Sequence, residues 1–186
     1  MSRSLKEKAK LLMKEKLGIL ILIVFLPSAL LGALSVTAIG TILALPISVG
    51  LSYAFIQVAK GGPGELKDLF RSLEGNHYLN HLWTLIKEGI FLFLWALLFL
   101  IPAIVKAYSY SQTRYILADD PAEKDAITKS RVMMRGHKLE LFWVQFSFIG
   151  WFILSGLSFG LVWIFYVGPY FNQTMALYYL ALKERL

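Results

Sequence analysis

The chain has 186 residues, 57% of them hydrophobic and only 17% charged, with a formal net charge of +7 and no cysteine. That balance lies well outside the range of soluble globular domains, and the missing thiols exclude disulfides, thiolate metal sites and cysteine nucleophiles. The basic excess comes without a base-reading motif or an aromatic-basic interleave, so it points to anionic lipid and not to nucleic acid.

Residues 1–16 carry Arg3 and five lysines, Lys10 and Lys14 among them, against Glu7 and Glu15. Leu5, Ala9, Leu12 and Met13 fall on one helical face with the lysines mostly opposite, the pattern of a basic interfacial helix. Residues 17–59 then contain no charged side chain over 43 positions. At about 1.5 Å per residue this run covers roughly 63 Å, twice the hydrocarbon core of a bilayer, and it predicts a membrane hairpin. It is too long for a signal-peptide core and reads as an uncleaved span whose amino end stays in the cytoplasm. The small and β-branched residues of 32–40 predict the turn, and Pro27 and Pro46 predict kinks within the two helices.

Gly61, Gly62, Pro63 and Gly64 close this hairpin. Residues 60–81 read as a cytoplasmic or interfacial segment. His77 and His81 stand at i and i+4, but without the glutamate of an HExxH pattern or a third histidine nearby they predict no metal site.

Residues 82–118 are predicted as a second hairpin. The apolar stretch 89–105 is a clear span, and two continuations compete. A single crossing gives five spans and places the seven basic residues of 106–140 outside; a turn at Ile101 and Pro102 returns residues 103–117 across the bilayer and gives six. The excess of Lys and Arg retained in the cytoplasm favours six. Lys106, Tyr110 and Arg114 recur every four residues, hence on one face of that fourth helix. Charges in a membrane helix seek protein, water or an interface. Together with Glu88, Gln145 and Asn172 they are the candidate lining of a polar cavity.

Asp119, Asp120 and Pro121 break the chain, and residues 119–140 read as a cytoplasmic amphipathic segment. Lys124, Arg131, Arg135 and Lys138 share a stripe there, and the last three with Lys10 and Lys14 are candidate contacts for anionic headgroups. Residues 8–14 resemble residues 129–135, each just upstream of an uncharged run, which raises the possibility of duplicated hairpins. Residues 141–182 form the second uncharged run, 42 long. Gly156 to Gly160 supply its turn, Pro169 a kink, and Gln145, Asn172, Gln173 and Thr174 its interhelical hydrogen bonds.

Five stretches carry a family resemblance. They are Lys106-Ala107-Tyr108-Ser109-Tyr110, Tyr115-Ile116-Leu117-Ala118-Asp119-Asp120-Pro121, the segment from Ser130 to Lys138, Ser147-Phe148-Ile149-Gly150-Trp151, and Gly168-Pro169-Tyr170-Phe171-Asn172-Gln173-Thr174 with Tyr178-Tyr179. In these the chain resembles the bacterial integral membrane family catalogued as domain of unknown function 975. The resemblance implies a polytopic membrane protein and no activity. Family members often carry an acidic residue where Gln145 stands, which argues against a charge relay there.

The expected protein is therefore all-α: a polytopic transmembrane helical bundle of six spans in three hairpins, with interfacial amphipathic helices and both termini cytoplasmic. No phosphate loop, nucleophile elbow or carboxylate pair is present, so no enzyme and no cofactor are expected. The expected partners are membrane lipids and a membrane protein or a second copy of the chain. The alternative is a small transporter or permease.

Overall fold

The computed structural model describes residues 2–34, 42, 44–73, 77–98 and 100–185, and among these every regular element is helical. Helix α1 (Ser2–Leu34) carries a break at Lys16, where φ is −125° and ψ is 25°. The expected boundary between the basic helix and the first apolar run thus falls at a real backbone break, and the helical dihedrals run on through Pro27. The ammonium of Lys16 donates to the carbonyl of Gly62 across the chain. The apolar face expected to lie on lipid is instead covered by protein: Leu5, Ala9 and Met13 are buried in the main core. Residues 32–34, expected to open the turn, are still helical, and the rest of the stretch expected as the turn falls outside the described residues.

Helix α2 (Ile47–Ala59) begins directly after Pro46, which occupies the N-cap. Pro46 was expected to kink a helix interior. It starts the helix instead, where its missing N–H has no intrahelical partner to lose. The helix ends as the glycines require. Gly61 takes φ 91°, its N–H donates to Val58 O at 3.0 Å, and the Gly62 N–H donates to Gln57 O at 2.8 Å. This pair of bonds is the Schellman closure. Helix α2 is central, packed by α1, by the short α3 (Lys67–Phe70), by α6 (Thr113–Asp119) and by α10 (Gly168–Lys183). Its Gly50 admits the α3 backbone, since a Cβ there would sit 1.9 Å from Leu69 O.

Helix α4 (Tyr78–Leu98) is followed by α5 (Leu100–Tyr110), and α5 folds back along it. The Lys106 ammonium lies 4.6 Å from the centroid of the Trp95 ring. Eleven residues of one straight helix would separate them by about 16 Å. Pro102, expected in the turn itself, sits in the first turn of α5, a position that tolerates it.

Residues 103–117 were expected as one helix, and they are two. The chain breaks at Ser111 and Gln112, and the cause comes from elsewhere in sequence. Ser130, on α7 (Ala126–Met133), donates through Oγ to Ser109 O at 2.8 Å and accepts the Gln112 N–H at 3.2 Å. This side chain takes over the backbone groups that the helix ladder would otherwise pair.

The last uncharged run folds as α8 (Lys138–Phe146) and α9 (Ile149–Leu157), bent by 42° at their junction. The chain then turns back at Ser158 to Gly160 as expected, closed by Gly160 N–H to Ser155 O at 2.8 Å. Phe159 holds φ 51° at the turn tip. Ring pairs zip the two arms: Trp151 with Tyr166 at 5.1 Å, Phe152 with Trp163 at 5.9 Å and Phe148 with Tyr170 at 5.0 Å. The irregularity expected from Pro169 takes the form of a π-helical turn, Trp163–Val167, immediately before α10.

The two echoing basic segments occupy unlike settings. The first runs helically to the break at Lys16, whereas the second ends with α7 and turns through Gly136 at φ 78° before α8. Among the described residues no single helix is long and apolar enough to cross a membrane, and the bent pair α8 and α9 together has the length and composition.

Candidate functional site

A cavity of about 400 Å³ opens where α2, α4, α5, α6, α8 and α10 meet. Helix α2 contributes Ser48, Leu51 and Ser52; α4 contributes Glu88 and Leu92; α5 contributes Ala107 and Tyr108. The break and α6 add Ser111, Gln112, Arg114 and Tyr115, while Leu141 and Gln145 come from α8 and Phe171, Asn172 and Met175 from α10.

Four of the six residues expected in a polar cavity, Glu88, Arg114, Gln145 and Asn172, therefore meet around one space. Lys106 and Tyr110 do not line it. The break at Ser111 rotates α6 relative to α5, so the four-residue spacing of Lys106, Tyr110 and Arg114 no longer defines a common face. Lys106 lies over Trp95, a cation–π contact, and Tyr110 is buried in the interior. Glu88 and Arg114 line the same cavity without an ion pair between them among the described residues.

Most donors in this wall are already committed. Ser48 Oγ donates to Leu45 O at 2.8 Å, Ser52 Oγ to Ser48 O at 2.9 Å, and Ser111 Oγ to Tyr108 O at 2.9 Å. Asn172 Nδ2 donates to Gly168 O at 2.9 Å, and Gln112 Nε2 to Ser111 Oγ at 3.1 Å. Two acceptors stand unpaired, since the buried atoms Glu88 Oε2 and Gln112 Oε1 have no hydrogen-bond partner. The Ser48, Ser52, Ser111 and Gln112 contributions were not singled out from sequence. Ser48 and Ser52 stand one helical turn apart in an uncharged run, which is the one signal that could have found them.

The candidate headgroup contacts Lys14, Arg131 and Arg135 are exposed, and Lys138 is partly so. Lys10, also exposed, carries its ammonium 5.8 Å from the Tyr170 ring centroid. His77 and His81 stack with ring centroids 6.4 Å apart at the start of α4. His81 Nδ1 lies 3.4 Å from Ser72 O, and burial holds the imidazole below its ordinary value. Among the described residues no cluster of three or more His, Asp or Glu stands ready for a metal.

A second polar centre ties the bundle together. Asp119 accepts from Lys60 Nζ at 2.8 Å, from Tyr179 OH at 3.2 Å and from the Lys183 ammonium. Tyr178 OH donates to His137 O at 3.1 Å, and Tyr115 stacks on Tyr179 with centroids 5.7 Å apart. Tyr115, Asp119, His137, Tyr178 and Tyr179 all belong to the segments that carry the family resemblance. In the fold they hold one another.

The carboxy-terminal part of the chain, residues 97–186, matches the family described as Protein of unknown function (DUF975). This is the family that the motifs resemble, and its description assigns no activity. No curated protein and no solved structure matches the chain.

Proposed function

We propose that the chain is a non-catalytic, polytopic protein of the cytoplasmic membrane, six spans paired as three hairpins with both termini cytoplasmic. In this proposal its polar cavity holds a small solute in the manner of a small transporter or permease. The observation that carries the membrane assignment is an inversion of polarity. In α9 the single buried residue is Ser155, at 6% exposure, while Leu157 is 75% exposed and Phe159 at the adjoining turn is 99% exposed. Helix α4 repeats the pattern, with His81 and Thr84 buried and Trp83, Phe93 and Leu97 exposed. In water such a surface would be a large apolar patch without cover; in lipid it faces its natural solvent.

The cavity supports a solute-binding role. It is roomy, it gathers a carboxylate, a guanidinium and several amides in an otherwise apolar bundle, and pockets between helices are common ligand sites. Because the chain has no cysteine, one engineered thiol reports access unambiguously. Ser48→Cys, at the cavity wall, is expected to react with a small water-soluble thiol reagent in the reconstituted protein, whereas a thiol that stays inert would remove the cavity from consideration.

A second role, contact with lipid or another membrane protein, is favoured by the exposed aromatic stripe of Phe142, Trp143, Phe146 and Phe152. Co-purification of a stable partner through this stripe, lost in Trp143→Ala, would support it.

A further inference from the structure

Granted that the chain lies in a bilayer as proposed, we propose that Lys106, Arg131 and Lys138 together hold the headgroup of an anionic phospholipid that carries no amine. The three cations come from three elements that the fold brings together. Ser130 Oγ donates to Ser109 O at 2.8 Å and so seats α7 on α5. Ser130 adjoins Arg131, and Ser109 lies three residues from Lys106. The Phe142 ring, 6.1 Å from the Tyr108 ring, seats α8 on the same part of α5, and Lys138 stands one helical turn before Phe142. Arg131 and Lys138 share a stripe along the sequence; Lys106, from the hairpin before them, completes the group.

The charges that act on the Lys106 ammonium are those of Arg131 and Lys138, both of its own sign. None of the three makes an ion pair among the described residues. The acids of residues 119–140 are engaged elsewhere: Asp119 with Lys60 and Lys183, Glu140 with His137 and Arg185, and Asp120, Glu123 and Asp125 toward Lys129. Gathered cations without a counterion repel one another, and a phosphate settles all three at once. Arg131 brings the planar fork that grips two phosphate oxygens, and the Trp95 ring, 4.6 Å from the Lys106 ammonium, holds that group in place. The surface beside the cations selects a lipid over a free phosphate. Each cation adjoins an exposed aliphatic residue in sequence: Val105 is 44% exposed, Val132 47% and Leu139 74%. An acyl chain covers such surface, and a soluble phosphate does not. A headgroup with its own ammonium would meet the cluster with like charge. Phosphatidylglycerol joins a net negative head without an amine to acyl chains.

The test uses the full chain in detergent micelles, with phosphatidylglycerol and phosphatidylcholine of the same acyl chains as probes. Native mass spectrometry is expected to show phosphatidylglycerol retained about tenfold more strongly than phosphatidylcholine. Lys106→Gln, Arg131→Gln and Lys138→Gln are each expected to weaken its retention by about tenfold. Lys8→Gln, Lys14→Gln and Lys124→Gln combined, which remove three exposed cations outside the cluster, are expected to leave the preference in place. Phosphatidylglycerol is expected to raise the melting temperature of the parent chain and not of Lys106→Gln. Without added lipid Lys106→Gln, freed of the repulsion, is expected to melt no lower than the parent, which separates loss of the site from loss of the fold.

Equal retention of the two lipids overturns the proposal, as does a preference that the combined control abolishes and the three site variants keep. Glycerol phosphate bound as tightly as the lipid would make this a site for free phosphate and overturn the lipid assignment. Reconstitution into phosphatidylcholine nanodiscs separates these failures from failure of the membrane reading. A chain that inserts there and shows no phosphatidylglycerol preference rejects the site alone, and a chain that stays in solution without amphiphile rejects the membrane assignment and the site with it.

Discussion

Single residues here divide into polar groups that hold the bundle and polar groups that burden it. Gln173 is of the second kind: it is fully buried, and neither its amide nitrogen nor its amide oxygen has a hydrogen-bond partner. It was expected to bond across helices, and it does not. Gln173→Met keeps the length and drops the unpaired dipole, so it is expected to stabilise the protein by about 1–3 kcal/mol, seen as a higher melting temperature in detergent. A lower melting temperature would show that Gln173 is paired. Asp119 is of the first kind. Burial alone would push its carboxyl up, but the hydrogen bonds and charges of Lys183 and Lys60 outweigh that and hold it below the usual carboxylate range. A carboxyl depressed on folding contributes stability above its unfolded value of about 3.9, and that contribution is lost as pH falls through the lower folded value. Melting temperature is therefore expected to drop on acidification below about pH 4, and the drop to be smaller in Asp119→Asn. Equal acid sensitivity in the two proteins would assign the loss to other carboxylates.

Elements are placed by close approaches that local sequence foretells only in part. The Gly61 closure, the turn at Gly160 and the break at Lys16 were legible because glycine and the charge boundary mark them locally. The division of α5 from α6 was not, because Ser130 imposes it from 18 residues beyond Gln112. The same distant control separates Arg114, which lines the cavity, from Lys106 and Tyr110, which precede the break and stay outside. Spacing along one helix cannot foresee a break made by another. The burial of Leu5, Ala9 and Met13 was hidden for a related reason, since an amphipathic face looks alike whether lipid or protein covers it. Gly50 shows how tight these approaches are. With Leu69 O only 1.9 Å from where a Cβ would stand, Gly50→Ala must lift α3 off α2. The expected cost is about 1–3 kcal/mol, with faster hydrogen exchange confined to residues 65–73. Unchanged exchange there would mean that α2 itself shifts to absorb the methyl group.

At the scale of the whole molecule, the proposed membrane placement has to accommodate several short elements. Helix α2 has 13 residues, about 20 Å of rise, and α8 and α9 have 9 each with a 42° bend between them. On the proposed placement, a hydrocarbon core of ~30 Å is matched in the last hairpin by the bent pair α8 and α9 together. Two placements of the last hairpin follow. Either α8 and α9 cross together and put Phe159 on the far side, or α9 dips in and returns, leaving Phe159 within the bilayer on the near side. The Lys and Arg residues, concentrated at both termini and in residues 124–138, favour the crossing, because the turn at Ser158 to Gly160 carries no charge and meets no barrier to translocation. Single cysteines distinguish the two, as the chain has none of its own. On the proposed topology Lys124→Cys reacts with a membrane-impermeant maleimide only from the cytoplasmic side, and Phe159→Cys only from the opposite side. Phe159→Cys reacting from the cytoplasmic side, or from neither, would convert the last hairpin into a re-entrant loop and reduce the six spans to four.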